Sequence, residues 1–319
     1  MIVGRPTFEE VAGAAQRISS IAVVTPVLGG SGFPGGGEVW LKAECLQETG
    51  SFKVRGAANT LLSLTEEERS AGVVAVSSGN HGRAVAFVAA RLGVRATICL
   101  SERVPSSKVE AIRALGAEVV VGGPGQDEAE AAALDLAATG VTYVHPFDDP
   151  RVIAGQGTVG LEIAEQVSQA ITLVVPLSGG GLISGVATAV KHLIPGVRVV
   201  GVSQERGPAM HLSLQARRVV DVVEEDTLAD ALAGGLGREN HLTFGMCRDL
   251  VDSTVLVSEE DISGAMRHLW REHGLRVEGG GAVGAAALLS GKVPPSPVTA
   301  VVLSGGNVGE ETWRAVLDA

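Results

Sequence analysis

Val73-Val74-Ala75-Val76-Ser77-Ser78-Gly79-Asn80-His81-Gly82 is an apolar, mostly β-branched run that stops at two serines and a glycine. An Ala-rich helical pattern over residues 81–92 follows it. A strand feeding directly into a helix is the unit from which parallel α/β sheets are built, and ligands gather where such strands end. Two hydroxyls, a side-chain amide and the free N–H groups of a helix start meet at this junction. That combination suits an anion such as a carboxylate. The plainer alternative is a capped helix, with Asn or Ser as the cap.

The same alternation runs outward in both directions. Toward the C-terminus, strands are expected at 96–100, 118–121 and 142–144, with helices at 107–115 and 127–138. Toward the N-terminus lie a helix at 53–64, a strand at 39–43 and a helix at 7–18, the last opened by a Thr7/Glu10 capping box. Beyond residue 145 the strands 173–177, 197–202 and 300–303 are continuous apolar runs, as in a sheet buried on both faces. Residues 72–145 read as a small βαβα unit set between two larger pieces, 1–71 and 146–319. The Gly-rich stretch 29–37 reads as a surface loop.

Three more segments place reactive or permissive residues at element junctions. In Thr49-Gly50-Ser51-Phe52-Lys53-Val54-Arg55-Gly56 a lysine opens a helix. A helix N-terminus disfavours positive charge, so the amine of Lys53 is expected to have a lowered pKa and to serve as nucleophile or base. The alternative is a solvated lysine. In Ser178-Gly179-Gly180-Gly181-Leu182 a glycine run between strand and helix lets backbone N–H groups close around a phosphate. It matches neither the Walker pattern nor the dinucleotide fingerprint. Leu303-Ser304-Gly305-Gly306-Asn307 puts a neutral hydroxyl at the end of an apolar strand. Each of the last two also reads as a tight turn; the force lies in the conjunction.

Composition removes several function classes. The net charge of −11 with no basic stripe, and an aromatic content of only 3%, argue against a nucleic-acid or anionic-membrane surface. Cys45, Cys99 and Cys247 have no metal-ligand spacing and leave one odd thiol, which suits a reducing compartment. No stretch reaches the roughly 20 apolar residues needed to span a bilayer, and no signal peptide is visible. A cytoplasmic protein is expected.

Taken together, the four segments resemble the fold-type II pyridoxal 5'-phosphate (PLP) enzymes, in the group of serine/threonine dehydratases and serine racemases. Ile153-Ala154-Gly155-Gln156-Gly157-Thr158, Leu228-Ala229-Asp230 and Arg248-Asp249-Leu250-Val251-Asp252 extend the likeness over nearly the whole chain. The resemblance implies an α/β, tryptophan synthase β-like fold: two open parallel-sheet αβα domains with PLP in the cleft. It implies that Lys53 carries the cofactor as a Schiff base and handles the Cα proton. Phe52 packs beside the cofactor ring, and Asn80 meets its 3-hydroxyl. Ser77, Asn80 and His81 hold the substrate carboxylate. Ser78 matches the serine acting on the opposite face in racemases. Gly179, Gly180, Gly181 and Leu182 bind the phosphate, Glu278 lies beside the cofactor, and Ser304 meets the pyridine nitrogen. A serine there leaves the ring a weaker electron sink than a carboxylate would. Prompt loss of a β-substituent is then favoured, giving β-elimination of a hydroxy-amino acid to a keto acid and ammonia. A homodimer is also implied.

Within the group, Lys53-Val54-Arg55-Gly56 and His81 resemble dehydratases. Cysteine-synthase-type β-replacement and racemisation are the alternatives, and an idle relative without activity is disfavoured because Lys53, Asn80, the glycine loop and Ser304 are all present. Ser203 and Ala209 stand where metal-binding relatives carry Glu and Asp, so no metal is expected. Glu205 reads as a solvated loop charge. Gly279, Gly280 and Gly281 follow Glu278, and Gly234 and Gly235 replace serines of racemases, which leaves room for a larger substrate. With Thr243-Phe244 and residues 207–212 this resembles the hydroxyectoine-utilisation dehydratases. A sequence ending soon after the serine loop is expected to lack the C-terminal regulatory domain of biosynthetic threonine dehydratases. His145, Arg113 and Arg151 are read as surface or structural residues near the cleft, Asp226 and Asp230 as capping or dipole partners, and the Glu259-Glu260 pair as a helix start.

Overall fold

In the computed structural model, residues 4–237, 239–294 and 296–318 are described. Among the described residues ten strands form two sheets: β1 Val27–Gly29, β2 Glu38–Lys42, β3 Val73–Val76, β4 Ala96–Ser101, β5 Glu118–Gly123, β6 Thr142–Tyr143, β7 Thr172–Pro176, β8 Arg198–Gln204, β9 Ser253–Val257 and β10 Val298–Val302. The larger sheet has the order β1-β2-β10-β7-β8-β9, and the smaller one β5-β4-β3-β6. Every pairing is parallel except that of β1 with β2 at the edge.

Both faces of the larger sheet are covered, which explains its unbroken apolar strands. One face packs residues of helices Glu259–His273, Gly279–Leu289 and Glu310–Asp318. The other packs those of Pro150–Gln166, Gly181–Leu193, Ala209–Ala216 and Thr243–Leu250. Helices Pro150–Gln166 and Gly181–Leu193 approach closely through small residues: a Cβ on Gly157 would lie 2.8 Å from the Gly185 carbonyl oxygen. The fold is therefore the expected pair of αβα layers.

The helix Lys53–Leu62 belongs to both parts. Its Val54, Ala57, Ala58 and Leu61 enter the core beneath β3 and β4 together with Ile18 and Ile21. The 71/72 division separates the two sheets but cuts through this shared core. The second residue past Lys53 anchors the same helix on its other side. Arg55, 1% exposed, clamps Glu44 through Nε and Nη2, both at 2.7 Å, and Glu162 through Nη1 and Nη2. Lys42, fully buried, joins Glu162, the Thr25 carbonyl and Gln166. Two cations and two carboxylates thus neutralise one another out of water, the condition under which buried charge is tolerated.

The expected surface loop 29–37 connects β1 to β2, and Gly30 N–H bonds the Val39 carbonyl at its base. Strands β1 and β9, and the helix Pro150–Gln166, were not delimited from the sequence pattern.

Candidate active site

A cavity of about 1520 Å³ lies between the two sheets, at the carboxyl ends of β3, β7 and β10. Phe52, Lys53, Ser77, Ser78, Asn80, His81, Gly179, Gly180, Gly181, Leu182, Glu278 and Ser304 all line it. Four segments distant in sequence thus converge on one cavity.

Backbone bonds fix the lysine segment against the serine loop. Phe52 N–H donates to the Ser304 carbonyl (3.1 Å), Gly306 N–H to the Gly50 carbonyl (2.9 Å), and Ser51 bridges Gly305. Lys53, half-buried, donates from Nζ to the Pro146 carbonyl at 2.7 Å, with its amine 5.3 Å from the Phe52 ring centroid. Burial lowers its pKa from 10.5 to about 8. The direction matches expectation, but the cause is desolvation rather than the helix terminus.

At the asparagine junction the first intrahelical bond runs from Arg83 N–H to the Gly79 carbonyl (3.1 Å). The N–H groups of Asn80, His81 and Gly82 precede it and form the helix's free donor end. Ser77 Oγ accepts from Gly79 N–H at 3.1 Å, tightening the turn. The His81 ring lies 2.8 Å from the Val144 carbonyl through Nε2, so Nε2 carries the proton and Nδ1 a lone pair. That Nδ1 is buried without a partner. Burial, with the nearby Lys53 charge, pushes the His81 pKa down to about 3. A lone pair repels a carboxylate, so His81 can offer an anion only its backbone N–H.

In the glycine loop, the first helical bond runs from Ser184 N–H to the Gly180 carbonyl (2.9 Å), leaving earlier N–H groups free. Gly180 has φ +86°, a left-handed conformation that shapes an anion nest. A Cβ on Gly179 would collide with the Phe147 ring. Ser178 hydroxyl donates to the Leu232 carbonyl at 2.9 Å. Ser304 is 4% exposed.

The residues present fit pyridoxal phosphate: an amine of lowered pKa, an anion nest at a helix start, a second helix start for a carboxylate, and a neutral hydroxyl, all on one cavity. A family model described as "Pyridoxal-phosphate dependent enzyme" matches residues 19–305. The chain belongs to this family. This pyridoxal-phosphate-dependent enzyme is 46% identical over 316 residues to a putative threonine dehydratase of Sinorhizobium fredii, covering 98% of this chain and 95% of that one. It is 47% identical over 274 residues to an L-threonine ammonia-lyase of Thermotoga maritima, covering 86% and 68% respectively. Maize serine racemase superposes with a TM-score of 0.92 at 34% identity, covering 99% and 98%. Its class is therefore that of the PLP-dependent lyases.

Several residues that shape the pyridoxal-phosphate site carried no role in the sequence reading. The stretch His145-Pro146-Phe147-Asp148 lines the cavity, although His145 was read as structural and 145/146 as a boundary. Asn307 Nδ2 donates to Asn80 Oδ1 (2.7 Å) and to the Thr49 carbonyl (2.8 Å). Asp230, read as a capping residue, lines the cavity and lies 3.9 Å from Lys108. The Asp226 carbonyl accepts from Arg206, Asp149 pairs with Arg151, and Glu259 accepts from Thr227 and from Leu228 N–H. Glu205 pairs with Lys292 at 3.3 Å, and Ser203 hydroxyl donates to Gln204. Among the described residues no helix is long and apolar enough to cross a membrane.

Proposed function

We propose that this enzyme eliminates water from a small 3-hydroxy-amino acid such as L-threonine or L-serine, releasing a keto acid and ammonia. The observation that carries the reading is the Lys53 amine, of lowered pKa, on the same cavity as the two helix-start anion sites. When bound, PLP supplies an electron sink that acidifies the substrate Cα–H. Gly179, Gly180, Gly181 and Leu182 hold the phosphate through N–H groups. Asn80 faces the cofactor 3-hydroxyl, Phe52 flanks the ring, Glu278 orients Asn80, and Ser304 faces the pyridine nitrogen. Ser77 and the N–H groups of Asn80 and His81 seat the carboxylate. Lys53 removes the Cα proton on one face, while Ser78 stands on the other. The enzyme works as a homodimer in the cytoplasm, with no metal, and with residues 72–145 as the small domain against 1–71 and 146–319.

The open wall at Gly234 and Gly235, where a Cβ would meet nothing nearer than 4.0 Å, supports a second substrate class: larger amino acids such as those derived from hydroxyectoine. The test is keto-acid and ammonia release from L- and D-serine, threonine and 3-hydroxyaspartate, with and without EDTA. Turnover of L-threonine or L-serine that disappears in Lys53→Ala, with circular dichroism unchanged, supports elimination. Undiminished turnover by Lys53→Ala overturns it. Inversion of serine without keto acid would instead indicate racemisation, and product only with an added thiol would indicate β-replacement.

A further inference from the structure

The loop between β6 and helix Pro150–Gln166 is pinned at three points around the cavity. The Pro146 carbonyl receives Lys53 Nζ at 2.7 Å. The Phe147 ring packs against Gly179. Asp148 accepts the N–H groups of His241 (2.6 Å), Leu242 (3.1 Å) and Thr243 (2.7 Å). His145 opens this loop, and its ring stands edge-on to Tyr143 and Phe147 at centroid distances of 5.9 and 4.7 Å.

The tautomer of His145 follows from its neighbours. Its Nδ1 receives two backbone N–H groups, from Phe147 at 3.1 Å and Asp148 at 2.7 Å. A nitrogen that accepts must carry a lone pair, so the proton sits on Nε2. Protonating Nδ1 would break both bonds. Burial also keeps the ring neutral, its pKa pushed down to about 4. The Nε2–H lies on the opposite edge of the ring, on a residue that lines the cavity, and no acceptor among the described residues meets it. His81, the other cavity imidazole, already uses Nε2 on the Val144 carbonyl.

Resting on the reading that Lys53 drives elimination, the remaining need is specific. The substrate carboxylate, the phosphate and the pyridine nitrogen all have protein partners assigned. The β-hydroxyl has none, yet hydroxide is a poor leaving group. We propose that His145 is a further catalytic residue, whose Nε2–H donates a hydrogen bond to the β-hydroxyl oxygen and holds it in line to leave. Lys53 takes the Cα proton, the Cα–H electron pair becomes the Cα–Cβ double bond, and the Cβ–O bond breaks with its pair passing to oxygen. The Lys53 ammonium returns its proton to that oxygen, and water departs. His145 keeps its own proton throughout.

The test compares L-threonine with β-chloro-L-alanine, whose chloride leaves without a proton. In His145→Phe, which keeps the ring but removes the donor, kcat/KM for L-threonine is expected to fall about 100-fold, as for loss of one preorganised donor. Chloride elimination is expected to fall no more than a few-fold, and His145→Asn to recover part of the threonine rate. The cofactor absorption band verifies that each variant is folded and loaded. Equal losses on both substrates, or no loss on either, overturn the proposal. Failure of the wild-type enzyme to eliminate chloride would instead overturn the elimination reading itself.

Discussion

Asn80 Nδ2 donates to Glu278 Oε1 across 2.6 Å, joining the helix start beyond β3 to the wall beneath β10, 198 residues further along the chain. Asn307 holds the other end of the same amide. Both ends of the Asn80 side chain are therefore fixed by groups of the larger sheet layer, and its orientation is set before any ligand arrives. Glu278 is 4% exposed, and burial pushes its pKa up from 4.5 to about 7, against the lowering effect of the Asn80 N–H.

The sign of that shift yields a stability prediction. A carboxyl whose folded pKa is raised contributes stability that is complete below 4.5 and is lost as pH rises through about 7. The loss is roughly 3 kcal/mol at most. Glu278→Gln keeps an acceptor for Asn80 and removes the titration. Denaturant melts of the apoprotein should show the variant gaining on the wild type as pH rises through this window. A constant difference across it would refute the assignment.

Lys53 gives a prediction in the opposite direction. With its pKa at about 8 instead of 10.5, the apoprotein amine is a minor species at neutral pH and becomes mostly free only above about 8. The rate at which apoprotein captures added PLP, followed by absorbance, should fall about tenfold per pH unit below that value and level off above it. A rate still climbing near 10.5 would mean the amine is solvated.

Gly179→Ala should weaken PLP binding about 10- to 100-fold, a loss of roughly 1–3 kcal/mol. The added methyl meets the Phe147 ring, and moving that ring shifts the Pro146 carbonyl that holds Lys53. A fluorescence titration of the apoprotein measures it. Gly264→Ala, on a helix where a Cβ meets nothing within 4 Å, is the control and should bind PLP as the wild type does.

Arg55→Leu should cost about 3–5 kcal/mol, because it strands Glu44 without a counter-charge. Burial alone would raise the Glu44 pKa, yet Arg55, with help from the Thr25 hydroxyl and Lys42, holds the carboxyl below its usual range. Denaturation free energies of variant and wild type test this, and a neutral substitution would show that the network relaxes or admits water.

The parts legible in sequence were those written locally. The Thr7/Glu10 capping box forms as read, and the strand at β3 occupies the expected residues. The site segments were legible because glycine and serine at a strand–helix junction leave free N–H groups whatever the surroundings. What sequence did not reveal depends on tertiary placement. Lys42, Glu44, Arg55 and Glu162 form one network, but no spacing relates them. His145 looks like any loop histidine until the two backbone N–H groups on its Nδ1 settle which nitrogen carries the proton. Lys53 stands at a helix start as expected, but the depth of its burial is a property of the assembled layers.

The position of β10 governs the order in which such a chain can become active. It lies between β2 and β7, pairing Val298 with Glu38 and Thr299 with Thr172. On the ribosome, everything up to β9 emerges before the strand that completes the sheet's middle. Closing that gap joins segments far apart in the chain, and such long-range closure is entropically slow. Until it happens Ser304 is absent from the wall and Phe52 N–H lacks its partner. Maturation therefore depends on a late insertion event, and a chain stalled before β10 exposes two unpaired apolar strand edges, the state most prone to aggregate or to recruit a chaperone.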